Sequence, residues 1–239
     1  MVPLYRFDLF RESIMNRKLL TAVALAAAPL FAAGFASNAM ATVELELTSG
    51  LSTTGIYVGA PCGTETCVSY SGTVGAWTIN LTSGNSAGPG NPTMDLSSLN
   101  ATSSGSAQPL HIELSDNGFS VGSPLFLLVS SGHLVSGSGT ATYSAYFDTG
   151  NTDFAETTLI GTLGPFSGAY VTSTTGAGTA GTPYSLTEDL VLTAGADGAK
   201  WSTDSSIAPV PEPASLVLFG LGGMALVGAR ACKRKLVKK

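Results

Sequence analysis

Between residues 42 and 207 apolar and polar side chains alternate in short runs, and this period of two constrains the fold more than any other feature of the chain. Val43, Leu45 and Leu47 alternate with Glu44, Glu46 and Thr48. Trp77, Ile79 and Leu81 alternate with Thr78, Asn80 and Thr82, and Leu110, Ile112 and Leu114 with His111, Glu113 and Ser115. Successive side chains of an extended strand point to opposite faces, so each run places its apolar set on one face. Residues 56–58, 68–74, 141–147, 159–163 and 184–192 are further strand candidates, and 125–129, apolar throughout, reads as a central core strand. Turn-forming residues separate the runs: Gly59 and Pro61, the stretch 83–92, Asp116 to Gly118, Gly137 and Gly139, Gly150 and Asn151, and the glycine-rich stretch 175–181. No window sustains a period of 3.6, and 29 Gly with 12 Pro argue against a mostly helical chain. The pattern predicts an all-β, antiparallel β-sandwich over 42–203, with a closed barrel as the alternative.

Charge is partitioned sharply along the chain. Between residues 42 and 207 Lys200 is the one basic residue against thirteen acids, while the other basic residues lie in the two ends. Such a body repels phosphate backbones, which excludes nucleic acid as a partner.

Both ends carry addressing patterns. Asn16, Arg17 and Lys18 follow Met15, an apolar run covers 19–35, and Ala39, Met40 and Ala41 close it. A basic start, an apolar segment and an A-x-A site are the parts of a secretory signal peptide, so signal peptidase should cut after Ala41 and leave Thr42 first. Segment 1–41 is then a signal helix preceded by an extension, with Met1 or Met15 as the start. At the other end Val210, Pro211, Glu212 and Pro213 precede an apolar stretch over 216–229, which Arg230, Lys233, Arg234 and Lys235 follow. A bilayer core takes about 20 residues, so 214–230 forms a single transmembrane helix if Arg230 and Lys233 snorkel. The basic tail would stay cytoplasmic. Residues 204–209 read as a polar linker between the sandwich and this segment.

The Val-Pro-Glu-Pro sequence, the glycine-rich apolar stretch and the terminal basic cluster, in that order over 209–235, resemble the PEP-CTERM sorting signal, also called the ice-binding protein C-terminal domain. The resemblance implies handling by an exosortase that cuts near Pro-Glu-Pro, in bacteria that make exopolysaccharide. Val210, Pro211, Glu212 and Pro213 would then be recognised as substrate. The body, about 47–193, is more loosely similar to other chains bearing this signal, and that resemblance implies no activity.

Few constellations in the body carry chemistry. Cys62 and Cys67 enter an oxidising compartment and are expected to form a small-loop disulfide, since zinc would need two further ligands and no histidine is near. Cys232 in the basic tail should stay a free thiol. His111 and Glu113 share one strand face, too few for a metal, and read as a solvent-facing pair. His133 has no G-x-S-x-G serine to serve. Asp148, Thr149 and Gly150 match the aspartic-protease triplet, but that chemistry needs a second carboxylate, and the other Asp-x-Gly is Asp116 to Gly118; both read as Asx turns closing hairpins. Asp148, Asn151 and Asp153 are a calcium candidate without the full EF-hand pattern, and the reading leans to no metal and no cofactor. The Trp and Tyr side chains could form a sugar platform, but alternation assigns Trp77 and Tyr146 to the core.

With no convergent catalytic set, the sequence points to a non-enzymatic surface or extracellular-matrix protein. It would cross the inner membrane, be held transiently by its C-terminal helix, and stay at the cell surface or outside, structural or adhesive in the exopolysaccharide layer. Signal peptidase, an exosortase, the membrane and exopolysaccharide are the expected partners. The alternative is a secreted carbohydrate-binding protein or hydrolase with an acidic site at Asp148 or Glu188.

Overall fold

The computed structural model describes residues 42–179 and 183–210. The predicted signal helix, the helix over 214–230 and the residues Ala39, Ala41, Pro211, Glu212 and Pro213 lie outside the described residues. Strands follow in chain order as β1 (Glu44–Ser49), β2 (Ser52–Thr53), β3 (Tyr57–Val58), β4 (Ala60–Cys62), β5 (Glu65–Val74), β6 (Trp77–Ser86) and β7 (Met94–Ser103). They continue as β8 (Ala107–Phe119), β9 (Ser123–Gly137), β10 (Ala141–Asp148), β11 (Thr158–Phe166), β12 (Tyr170–Thr179), β13 (Tyr184–Ala194) and β14 (Ala199–Pro209). Among the described residues there is no helix, and the paired strands run antiparallel.

Two seven-stranded sheets result. Sheet A has the order β11-β10-β13-β8-β1-β2, with β3 also on β1, and sheet B the order β12-β9-β14-β7-β6-β5-β4. One buried cluster joins them, drawing Leu45, Leu47, Ile112, Leu114, Tyr143 and Leu190 from sheet A and Ile79, Leu81, Leu96, Leu128 and Trp201 from sheet B. Two indoles also bond across the layers: Trp77 Nε1 donates to Gln108 O at 2.9 Å and Trp201 Nε1 to Thr193 O at 3.2 Å. Burying these N–H groups against carbonyls removes the desolvation penalty that an unpaired donor would carry.

Four expectations need correction. Residues 204–209 are no linker; they are the last part of β14, a central strand. The inward positions of β14 are Ala199, Trp201, Thr203, Ser205 and Ile207, so two hydroxyls interrupt the apolar phase and the stretch looks polar in sequence. Thr203 is satisfied inside, donating to Ser131 O at 2.9 Å. Within the stretch 175–181 the described residues, 175–179, are strand, and Gly176 and Gly178 answer to packing: a Cβ on Gly176 would stand 1.8 Å from Ile160 O, and one on Gly178 2.0 Å from Ser123 O. Asp116, Asn117 and Gly118 close no hairpin, because β8 runs on through them to Phe119 with Gly118 at φ 75° and a register shift against β13. Finally, 125–129 is not continuously buried: Phe126 and Leu128 enter the core while Leu125 is 44% exposed.

Candidate functional site

Three neighbouring strands bring acids into one row on the outward face of sheet A. Glu46 of β1 stands opposite Glu113 of β8, which stands opposite Asp189 of β13, and Ser144 of β10 continues the row. Like charges directly opposite on adjacent strands are unfavourable, so the row persists only if charge is removed or compensated. His111 supplies part of the compensation: its Nδ1 lies 3.3 Å from Asp189 Oδ1 and 3.4 Å from Oδ2. Protonation supplies the rest. Burial, followed by the charges of Asp189, Glu156 and Glu46, raises the Glu113 carboxyl to about 7 against the opposing pull of His111. Burial raises Asp189 to about 6, with Glu156 adding to it and His111 opposing. Tyr146 borders the row and is raised by burial and by Glu156.

A loop from Thr149 to Thr157 folds over one end of this face. Asp148, the last residue of β10, organises it: Oδ1 accepts from Thr157 Oγ1 at 2.9 Å and Oδ2 from Thr152 N at 3.1 Å. These donors favour the ionised form and hold its carboxyl below the ordinary value. The loop then ties down onto the sheet. Asn151 Oδ1 accepts from Gly118 N at 2.7 Å, Ser185 Oγ donates to Thr152 O at 2.6 Å, Phe154 N donates to Ser115 Oγ at 2.9 Å, and Asn117 Nδ2 donates to Asp153 Oδ2. The calcium candidates are therefore dispersed into protein hydrogen bonds, each with a different partner. Among the described residues no three His, Cys, Asp or Glu side chains converge so as to hold a metal ion.

Two more carboxyls lie within the layers. Glu188, next to Asp189 on β13 and so on its opposite face, is fully buried; its Oε1 accepts from Tyr143 OH at 3.0 Å and its Oε2 has no hydrogen-bond partner. Desolvation raises it well above the ordinary value, so it keeps its proton. Asp116, also fully buried, accepts from Asn117 N at 2.8 Å, and burial raises it to about 6.

The outward face of sheet B is different in kind. One row reads Ser71, Asn80, Asn100, Ser202, His133 across β5, β6, β7, β14 and β9, and the next reads Thr73, Thr78, Thr102, Lys200, Ser136. Apart from the half-buried Ser202 these side chains are exposed. Neighbours in a row stand about 4.8 Å apart, which makes a regular array of hydroxyls and amides with Lys200 as its charge.

Of the residues singled out from sequence, Cys62 and Cys67 are joined as a disulfide across the β4–β5 hairpin, with Cα atoms 5.8 Å apart. Trp77 is fully buried, whereas Tyr146 is half-buried on the outward face and not in the core. Trp201, Tyr143 and Tyr184 are also interior, whereas the exposed Tyr57 pairs edge to face with Tyr70, 5.3 Å between centroids, and Phe166 stacks on the half-buried Tyr170 at 4.1 Å. His111 and Glu113 do share a face, but Asp189 and Glu156 join them from β13 and the loop. Only the pairing of β8 with β13 reveals that, and no spacing within one strand could.

The sequence model of the PEP-CTERM protein-sorting motif matches residues 209–235, which implies a surface protein exported and sorted by an exosortase. No curated protein matches the chain. Among solved structures, the chain is similar to the enzymatically active domain of bacteriophage CBA120 tailspike protein 4, at 11% identity and TM-score 0.33 over 56% of this chain; the match spans 19% of that one. It is similar to TmCBM61, solved in complex with β-1,4-galactotriose, at 8% identity and TM-score 0.32, over 56% of this chain and 88% of that one. It is also similar to the K1 cleaved adhesin domain of Lys-gingipain from Porphyromonas gingivalis W83, at 13% identity and TM-score 0.34, over 64% and 94%. TM-scores this low carry nothing about ligand or activity.

Proposed function

We propose that this chain is a non-enzymatic surface or matrix protein whose β-sandwich is structural or adhesive in the exopolysaccharide layer, released there after an exosortase acts on its C-terminal signal. The observation that carries the reading is the sorting motif over 209–235, directly continuous with the last strand of the sandwich. The array on sheet B supports adhesion. A polymer of sugar hydroxyls needs many modest, repeated hydrogen-bonding partners, and an acidic polymer would not be repelled by a face bearing Lys200 and few acids. Mass spectrometry of the surface fraction tests the sorting half: the mature chain should begin at Thr42 and lack Lys233 to Lys239. Recovery of those lysines on the mature surface protein would contradict it.

One observation favours a second reading. Glu113 and Asp189 face each other across two strands with raised proton affinities, and a pair of facing carboxyls is what a glycoside hydrolase uses. Release of reducing sugar by the protein, lost in Glu113→Gln, would establish that reading in place of ours.

A further inference from the structure

β14 stands in the middle of sheet B, with β9 on one side and β7 on the other. Its ladder to β9 runs from Ala199↔Gly137 to Pro209↔Phe126, and its ladder to β7 from Ala199↔Ser103 to Ile207↔Met94. Take β14 away and sheet B falls into β12–β9 and β7–β6–β5–β4, two pieces that share no ladder. Its inward side chains Ala199, Trp201, Thr203, Ser205 and Ile207 are each 2% exposed or less. Beyond Ile207 the pairing continues on one side: Ala208 faces Leu127, Pro209 faces Phe126, and Val210 N donates to Leu125 O at 2.9 Å. The sorting motif starts at residue 209, so signal and strand overlap.

The distance available for processing is correspondingly short. Leu216, the first residue of the apolar stretch, is six residues beyond Val210, which allows at most about 20 Å of extended chain. A protease takes its substrate as extended, unpaired backbone. Residues up to Ile207 meet that condition only if a doubly paired central strand unpeels, which draws on the stability of the whole sheet and not on local fraying.

We propose that β14 ties sorting to folding: the sandwich closes only when the chain up to Val210 has been delivered across the membrane, and from then on the processing cut is confined to the C-terminal side of Val210. The identity of the enzyme rests on the exosortase reading above; the boundary rests on the sheet alone. The bond broken is a peptide bond beyond Val210. Its acyl carbon passes to water or to an amine acceptor, and its nitrogen leaves with a proton on the apolar piece. The mature domain thereby keeps all of β14 and the core that Trp201 and Ile207 close.

Proteinase K digestion of the full chain in detergent micelles, read by mass spectrometry, tests the boundary without the sorting enzyme. The surviving fragment should end between residues 210 and 215. Ile207→Asp, which puts a carboxylate at a fully buried position, should abolish that fragment. A Gly/Ser insert placed after Val210, which leaves every ladder intact, should keep the fragment and add cuts only within the insert. A limit fragment ending between 203 and 208, an Ile207→Asp chain digested like the wild type, or an insert that destroys the fragment would each overturn the proposal. Failure of the exosortase reading has a separate signature, an intact 211–239 segment on the mature surface protein, whatever the digest shows.

Discussion

The two sheets share a single core yet treat their outward faces in opposite ways. Sheet A places Glu46, Glu113 and Asp189 in one cross-strand row and covers its end with the Asp148 loop, while sheet B leaves exposed rows of Ser, Thr and Asn. The difference shows that acidity in this domain is not spread as a solvating coat. A large part of it is gathered on one face and inside, where burial raises Glu113 to about 7, Asp189 and Asp116 to about 6, and Glu188 well above the ordinary value. Sheet A thus carries the carboxyls whose proton affinity burial raises, while sheet B offers mainly hydroxyls and amides, which do not titrate, beside His133 and Lys200.

The strongest way to break this shared core is through β14. Trp201→Ala deletes a fully buried indole and its bond to Thr193 O, and should cost about 3–5 kcal/mol. In a domain of this size that lowers the melting midpoint by about 6–20 °C, as read by calorimetry. A loss of only a degree or two would mean that β14 is not the splice holding sheet B together.

Next comes the carboxyl between the layers. Tyr143→Phe leaves Glu188 without its donor, and Glu188→Leu leaves the Tyr143 hydroxyl unpaired; each should cost about 1–3 kcal/mol by denaturant unfolding. The double variant removes both polar groups and should recover much of that loss, so the two effects are strongly non-additive. Simple additivity would show that the two side chains do not depend on each other.

A smaller effect separates the two faces by pH. Glu113 is protonated in the fold over a range where the unfolded chain is already ionised, so ionising it works against folding. Its stabilising proton is fully present below about 4.5 and lost as the pH rises through about 7. The melting midpoint should therefore fall between pH 5 and pH 8. The raised pKa alone would correspond to about 3 kcal/mol, and water at this half-buried site reduces it to about 1. Glu113→Gln should flatten the decline, while Asn80→Ala on sheet B should leave it unchanged. A midpoint that rises over the same range would contradict the protonation of the sheet A row.

How much of this was legible in the sequence depended on whether the alternation held. β1, the Trp77 to Leu81 part of β6 and the Leu110 to Leu114 part of β8 keep strict phase, and their inward residues are the ones the pattern assigns to the core. β7 was missed because its buried residues shift phase from Met94 and Leu96 to Leu99 and Ala101 across Ser98, whose φ of 56° breaks the extended repeat. The last part of β14, 204–209, was mistaken for a linker because the hydroxyl of Ser205 occupies a core position there, as that of Thr203, which donates to a neighbouring strand's carbonyl, does just before it. In the candidate site, His111 and Glu113 were visible as a pair on one strand. Asp189 was not, because its membership depends on the register of β13 against β8, 78 residues from His111 in the chain. The sorting signal, in contrast, is a linear pattern and needs no fold to be read.

The contrast between the faces is tested most directly by retention of the purified mature protein on the host's exopolysaccharide, with one altered face at a time. Asn80→Ala combined with Asn100→Ala and Thr102→Ala should weaken retention about tenfold or more while changing the stability of the fold by no more than about 1.5 kcal/mol, about 0.5 for each exposed position. Glu113→Gln combined with Asp189→Asn should bind as the wild type does, and no variant should release reducing sugar. Retention that survives on the altered sheet B and fails on the altered sheet A, accompanied by sugar release from the wild type alone, would contradict the adhesive account and make the acidic row the working face.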